Sequence, residues 1–118
     1  MGQSQEDAMQ QMMHQFAVFL QQQHTTQQKI ILEDRIRKAR QAVTEKMGRF
    51  DGRDISKYCK AYEEAMEDND IDDAEAVENF YLNAESELRV RIREIRVQHG
   101  LDWRNFKTGL KADYFVLL

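Results

Sequence analysis

The first third of the chain carries apolar residues at helical spacing. Met9, Met13, Phe16 and Leu20 follow one another in steps of three and four residues, which is the spacing of one face of an α-helix. Glutamines dilute this face until Ile30. Because the rest of the chain has enough apolar residues to close a core of its own, these five residues predict a surface for self-association.

A second apolar stripe follows at Leu32, Ile36, Ala39 and Val43, offset by two residues from the first. Together the stripes predict one long helix, or two stacked helices, over about residues 6–47. Such a helix would be roughly 60 Å long, which is too long to pack wholly on a small domain. Part of it should therefore meet a partner, most simply another copy of the chain.

Glycines and aspartates predict the helix boundaries in the remaining sequence. Two glycines within residues 48–53 predict a loop. Helices are expected to begin after Asp54, Asp72 and Asp102, because aspartate is a preferred N-cap residue. The helix before Gly100 should end there, since glycine favours the position after a helix C-terminus.

The long stretch between Asp72 and Gly100 allows two interpretations. It forms one unbroken helix to His99, or it breaks between Asn83 and Ser86, in which case Ser86 would cap the second piece. In both cases the apolar spacing is helical.

The whole pattern predicts an all-α protein. The 118 residues include no proline and only five glycines, which argues against an all-β fold with its many turns. Two parts are expected. Residues 1–47 would form a glutamine-rich helical or coiled-coil segment, and residues 48–118 a small helical bundle.

Several functional classes lack support in the sequence. The one cysteine, Cys59, excludes a disulfide framework, and the three histidines lack the spacing of metal ligands. No phosphate-binding loop or nucleophile motif is present. We therefore expect no enzyme activity, cofactor, metal site or membrane span. The expected location is the reducing cytoplasm, with the nucleus as the alternative.

Charge is unevenly distributed along the chain, although its net value is only −4. Residues 29–60 carry ten basic and five acidic side chains, whereas residues 61–88 carry eleven acids and no base. Such blocks are typical either of solvated helix faces or of surfaces that pair with a partner. The densest basic cluster is a candidate contact for RNA phosphates and comprises Arg35, Arg37, Lys38 and Arg40.

The order of motifs from residue 49 to residue 115 resembles the N-terminal capsid lobe of Gag proteins from long-terminal-repeat retrotransposons of the gypsy class, especially the plant type. The chain has the F-x-G opening of that family at Phe50-Asp51-Gly52. It also has the closing W-x-x-F-x-x-x-L-x-x-x-Y-F pattern, which runs from Trp103 to Phe115. A glutamine-rich coiled segment before the lobe fits the layout of Gag.

The resemblance implies a structural protein that assembles a virus-like particle through contacts between copies of itself. It also implies that seven residues determine the fold of the lobe, namely Phe50, Tyr58, Tyr62, Phe80, Trp103, Phe106 and Leu110. The alternative is a domesticated adaptor, which would dimerise through the N-terminal helix and bind a protein or peptide with the lobe. The apolar ending Val116–Leu118 predicts continuation into a longer polypeptide.

Overall fold

The computed structural model describes residues 2–115, with the side chains of residues 5–115, and is helical as predicted. Five α-helices follow one another along these residues. They are α1 (Gly2–Met47), α2 (Ile55–Asp68), α3 (Asp73–Asn79), α4 (Arg89–His99) and α5 (Trp103–Asp113). The prediction for Val116–Leu118 lies outside the described residues.

The predicted helix boundaries rest on identifiable capping interactions. The Asp72 carboxylate accepts a hydrogen bond from the backbone N–H of Glu75 at 2.9 Å, and Asp102 accepts one from Asn105 at 3.1 Å. Each bond satisfies a backbone donor that the first turn of a helix leaves free. At the C-terminal end of α4, Gly100 has a φ of 73°, a conformation that glycine adopts without steric cost.

Asp54 precedes α2 as predicted but does not cap it with its side chain. Its backbone lies in the left-handed region, with φ 50° and ψ 48°, whereas side-chain capping normally goes with an extended residue. Aspartate tolerates this conformation better than most residues. The helix therefore begins where the sequence indicates, for a different physical reason.

The stretch between α3 and α4 is broken. Two short 3-10 turns, Phe80–Asn83 and Ser86–Leu88, replace the alternative of one continuous helix. The expectation that Ser86 caps the second piece is wrong, because Ser86 lies within a 3-10 turn and α4 begins after Leu88. Between them the chain is extended, and Ala84 forms an isolated parallel bridge with Phe50. The Phe50 N–H donates to the Asn83 carbonyl at 2.8 Å, and its carbonyl accepts from the Glu85 N–H at 3.0 Å.

The chain divides into two units at a different place from the predicted boundary. Residues 1–33 form the first unit and residues 34–118 the second. The last part of α1 belongs to the second unit because Ile36, Ala39 and Val43 are buried. We call residues 5–33 the N-terminal helical segment and residues 34–115 the bundle.

Helices α4 and α5 approach closely at Gly109. A Cβ atom at this position would lie 2.6 Å from Cδ2 of His99 and 2.8 Å from Cγ2 of Ile95. Ile95 is fully buried and has little room to move. The absence of a side chain at Gly109 therefore sets how closely the two helices pack.

We expect Gly109→Ala to lower the free energy of unfolding by up to about 2 kcal/mol. Overpacking costs about 1–3 kcal/mol, and the gain of about 1 kcal/mol in helix propensity offsets part of it. Urea unfolding followed by circular dichroism measures the change. Thr108→Ala, at the exposed neighbouring position, is the control. A Gly109→Ala protein more stable than the parent would contradict the close packing.

Candidate interaction sites

The five residues predicted for self-association lie exposed on the N-terminal helical segment. Their exposed fractions range from 48 % to 68 %, for Met9, Met13, Phe16, Leu20 and Ile30. Exposure of large apolar side chains to water is unfavourable. Burial of their surface would contribute roughly 25 cal/mol of stabilisation per Å². Within a single chain these residues form an apolar helix face that stays exposed and does not contribute to a hydrophobic core.

This apolar face is broader than the sequence spacing indicated. Met12, Phe19 and Ile31 are also 51–69 % exposed. At 100° per residue, these and the predicted residues share an arc of about 120° around the helix. Of the exposed large apolar side chains in this segment, only Val18 lies on the opposite side of the helix. Met12 and Phe19 are seven residues apart, and each lies three or four residues from Phe16, so both fall on the same side of the helix. That spacing is the signal that could have identified them.

The seven residues assigned to the core by resemblance are all buried in the bundle. Trp103 is the most exposed of them at 9 %, and Phe80 sits at the centre. The ring of Phe80 lies 5.0 Å from that of Tyr62 and 5.7 Å from that of Phe106, both in edge-to-face geometry. Such pairs add to the stabilisation from burial alone.

A polar network at Asn83 anchors the end of α1 to the rest of the bundle. Nε of Arg40 donates to the side-chain oxygen of Asn83 at 2.9 Å, and the Asn83 amide donates to the Arg40 carbonyl at 3.3 Å. The hydroxyl of Tyr58 donates to the carbonyl of Gly48 at 3.0 Å and lies 3.3 Å from the carbonyl of Asn83. Asn83 is buried, so these bonds compensate for its loss of hydration.

The predicted basic cluster does not form one free cationic surface. Arg40 is directed into the bundle by its bonds to Asn83 and to the Leu82 carbonyl. Arg37 and Lys38 are exposed and both pair with Asp34. These ion pairs hold the pKa of Asp34 below its usual value, the hydrogen bond from Lys38 contributing most. Arg35 is exposed as well. The structure thus places Arg40 apart from the other three residues.

A groove of about 270 Å³ opens on the bundle between α2, α3 and α5. Its lining combines aromatic and apolar side chains, among them Tyr62, Met66 and Trp103, with charges of both signs, including Glu67 and Arg104. The indole of Trp103 stacks on Tyr62 at 5.3 Å between ring centroids. The three apolar side chains are themselves at most 9 % exposed, so the charged side chains at the rim are the more accessible part of the lining.

Glu63, on α2 at the groove, binds two side chains of α5. Its Oε1 atom accepts a hydrogen bond from Nε1 of Trp103 at 2.6 Å and also contacts Nζ of Lys107. Partial burial by itself raises the pKa of Glu63, but the bonds from Lys107 and Trp103 outweigh it and lower the pKa overall. The carboxylate therefore stays ionised at neutral pH and orients both partners.

The lowered pKa of Glu63 predicts a pH-dependent stability. A carboxyl group with a lower pKa in the folded state stabilises the fold above its unfolded pKa, and the contribution is lost as pH falls through the folded value. We expect Glu63→Gln to be less stable than the parent at about pH 7 and the difference to shrink towards about pH 3. Urea unfolding across this range tests it.

The matched control is Glu67→Gln, an exposed acid on the next turn of α2. It should leave the pH dependence of the parent almost unchanged, because surface charges contribute little. A stability gap between Glu63→Gln and the parent that is the same at every pH would contradict the role given to the Glu63 carboxylate.

Comparison with known protein families, curated proteins and solved structures finds no match to this chain. Among residues 2–115, no helix combines the length and apolar character needed to cross a bilayer. Nor do these residues hold a group of three or more His, Cys, Asp or Glu side chains placed to bind a metal ion. The resemblance to a capsid lobe remains a prediction.

Proposed function

We propose that this chain is a structural, self-assembling protein of the Gag capsid type, from a retrotransposon or a domesticated derivative. The exposed apolar face of the N-terminal helical segment carries the proposal. Its side chains, from Met9 to Ile31, are the largest exposed apolar group among the described residues. Apolar surfaces of this kind on soluble chains usually mark interfaces.

The proposed mechanism is the addition of many weak contacts. The bundle has a closed aromatic core, so it can act as a rigid unit that presents the same surfaces in every copy. The apolar helix face links copies to one another, and linkage raises the effective concentration of any further contact between bundles. Identical contacts repeated with rotational symmetry then close into a shell.

The first test is the mass of the full chain in solution, measured by light scattering after size-exclusion chromatography. We expect an oligomer at micromolar concentration and large particles, visible by electron microscopy, in concentrated or high-salt solution. Residues 34–118, which retain the buried part of α1, should be monomeric or nearly so. That fragment suits the test better than residues 48–118, which lack Ile36, Ala39 and Val43.

The expected masses make the proposal easy to contradict. A monomeric full chain at all concentrations would overturn it. If residues 34–118 associate as strongly as the full chain, the main assembly surface lies on the bundle rather than on the helix face.

The groove beside Trp103 favours a second function, that of an adaptor. In this case the helix face only dimerises the chain, and the groove holds a peptide or protein segment. An adaptor should remain a dimer or small oligomer under the conditions that drive a shell protein into particles. The emission of Trp103, the one tryptophan, would report binding when peptides are titrated onto the full chain.

A further inference from the structure

The apolar face of the N-terminal helical segment has the register of a coiled coil. With Met9 at heptad position a, the inward a and d positions form a seam through residue 30. Its members are Met9, Met12, Phe16, Phe19, Gln23, Thr26 and Ile30. The seam thus consists of four apolar positions, two polar positions and one more apolar position.

The chemistry around the seam suits another copy of the same chain. Residues 8–28 contain no Asp, Glu, Lys or Arg. The flanking e and g positions of coiled coils usually carry the charges that select a different partner, and within this stretch they offer none. Two copies meet along residues 8–28 without like-charge repulsion, and a charged partner gains no ion pair there.

The two polar positions of the seam can be satisfied between identical chains. A glutamine amide has both a donor and an acceptor, so Gln23 can form hydrogen bonds with Gln23 of another copy. The hydroxyl of Thr26 already donates to the Gln22 carbonyl of its own helix at 2.8 Å. Burial of Thr26 in a seam therefore leaves no donor unpaired.

The position of Ile30 favours one orientation of the copies. In a parallel, in-register pair, each seam residue meets its own counterpart, and Ile30 is covered by Ile30. An antiparallel pair that overlaps the apolar run from Met9 to Phe19 with itself places Gln23 near Gln5 and leaves Ile30 beyond the overlap. Since Ile30 is 58 % exposed in the single chain, the parallel arrangement buries more apolar surface.

We infer that copies of this chain associate through a parallel, in-register coiled coil over residues 9–30, in which the Gln23 amides bond to one another and fix the register. The inference rests on the proposed self-association and adds its partner surface and polarity. All chains then enter residues 34–118 at the same end of the coiled coil.

Disulfide trapping in the full chain tests the polarity. Met9→Cys and Phe19→Cys chains, one carrying a size tag, are co-expressed and then oxidised. Parallel, in-register chains form links between like positions, 9 to 9 and 19 to 19, whose separations suit a disulfide. Mixed links between positions 9 and 19 should be rarer by at least about tenfold, because parallel chains hold these positions roughly 15 Å apart. The native Cys59 is 1 % exposed, so its thiol is poorly accessible to another chain.

Two matched controls accompany the trapping. Gln10→Cys, which points away from the seam, should remain largely uncrosslinked. In the Met9→Cys chain, Gln23→Glu should lower the crosslinked fraction by at least about tenfold, because a buried layer of unpaired carboxylates is costly. Gln21→Glu, on the outer face of the same helix, should leave that fraction unchanged.

The outcomes distinguish failure of the inference from failure of the proposed function. Predominantly mixed links between positions 9 and 19 would show an antiparallel pair and overturn the inference while self-association stands. Equal trapping by Gln10→Cys and Met9→Cys, or an unchanged crosslinked fraction in Gln23→Glu, would overturn the register. A monomeric mass for the parent chain in light scattering would overturn the proposed function itself, and the inference with it.

Discussion

Replacement of Phe80 by alanine should lower the free energy of unfolding of the bundle by about 3–5 kcal/mol. The Phe80 side chain is fully buried. Its ring centroid lies within 5.0–6.1 Å of five other aromatic rings. These rings belong to the loop before α2, to α2 and to α5. They cannot all move inward to fill the space that the substitution leaves.

The expected loss is large relative to the stability of a small domain, which is about 5–15 kcal/mol. Urea or thermal unfolding followed by circular dichroism should show a much earlier transition, or a chain already unfolded at room temperature. The matched control is Phe115→Ala, which removes the same side chain from a position that is 67 % exposed. That variant should change the free energy of unfolding by less than about 0.5 kcal/mol.

Phe80→Leu provides a milder second variant if Phe80→Ala does not fold. It retains most of the apolar volume and should cost less than the alanine change. A Phe80→Ala protein that melts within a few degrees of the parent would contradict the central position of Phe80 in the core.

The helix boundaries at Asp72, Gly100 and Asp102 were predictable because local chemistry determines them. Asp72 and Asp102 accept bonds from N–H groups three residues ahead, and Gly100 adopts a positive φ. These interactions involve only neighbouring residues, so the sequence around each position contains the signal. The all-α fold follows from them and from the helical spacing of the apolar residues.

The start of the bundle was not predictable in the same way. Ile36 and Val43 continue a helical stripe whether they face a bundle or a second chain, and the spacing is the same in both cases. The Arg40–Asn83 bonds join residues 43 positions apart, and nothing local to either residue indicates the other. Local sequence therefore groups Arg40 with the basic surface cluster, although its side chain belongs to the bundle.

The apolar helix face lies between these two cases. Its existence follows from the spacing of Met9, Met13, Phe16 and Leu20, but a stripe traced from one starting residue underestimates its width. Sequence spacing also does not reveal whether a face is covered. The exposure of these side chains in the structure is what turns a helical pattern into a candidate interface.

The double substitution Phe16→Asp/Leu20→Asp should dissolve the oligomer of the full chain and leave its helicity nearly unchanged. Phe16 lies at the centre of the apolar face and Leu20 on its flank, at 63 % and 48 % exposure. A carboxylate buried in an interface without a partner loses its hydration, so association should weaken by at least about a hundredfold. Light scattering gives the mass, and circular dichroism checks the helix content.

Val18→Asp is the control for this prediction, because Val18 lies on the opposite side of the same helix. It adds one negative charge, against two in the double substitution, between the same two positions of the helix and outside the proposed contact, so the oligomer should persist. If Val18→Asp disrupts association as strongly as the double substitution, added charge rather than the apolar face accounts for the effect. If both variants keep the mass of the parent, copies of the chain meet through the bundle, and the exposed methionine and phenylalanine side chains serve another partner.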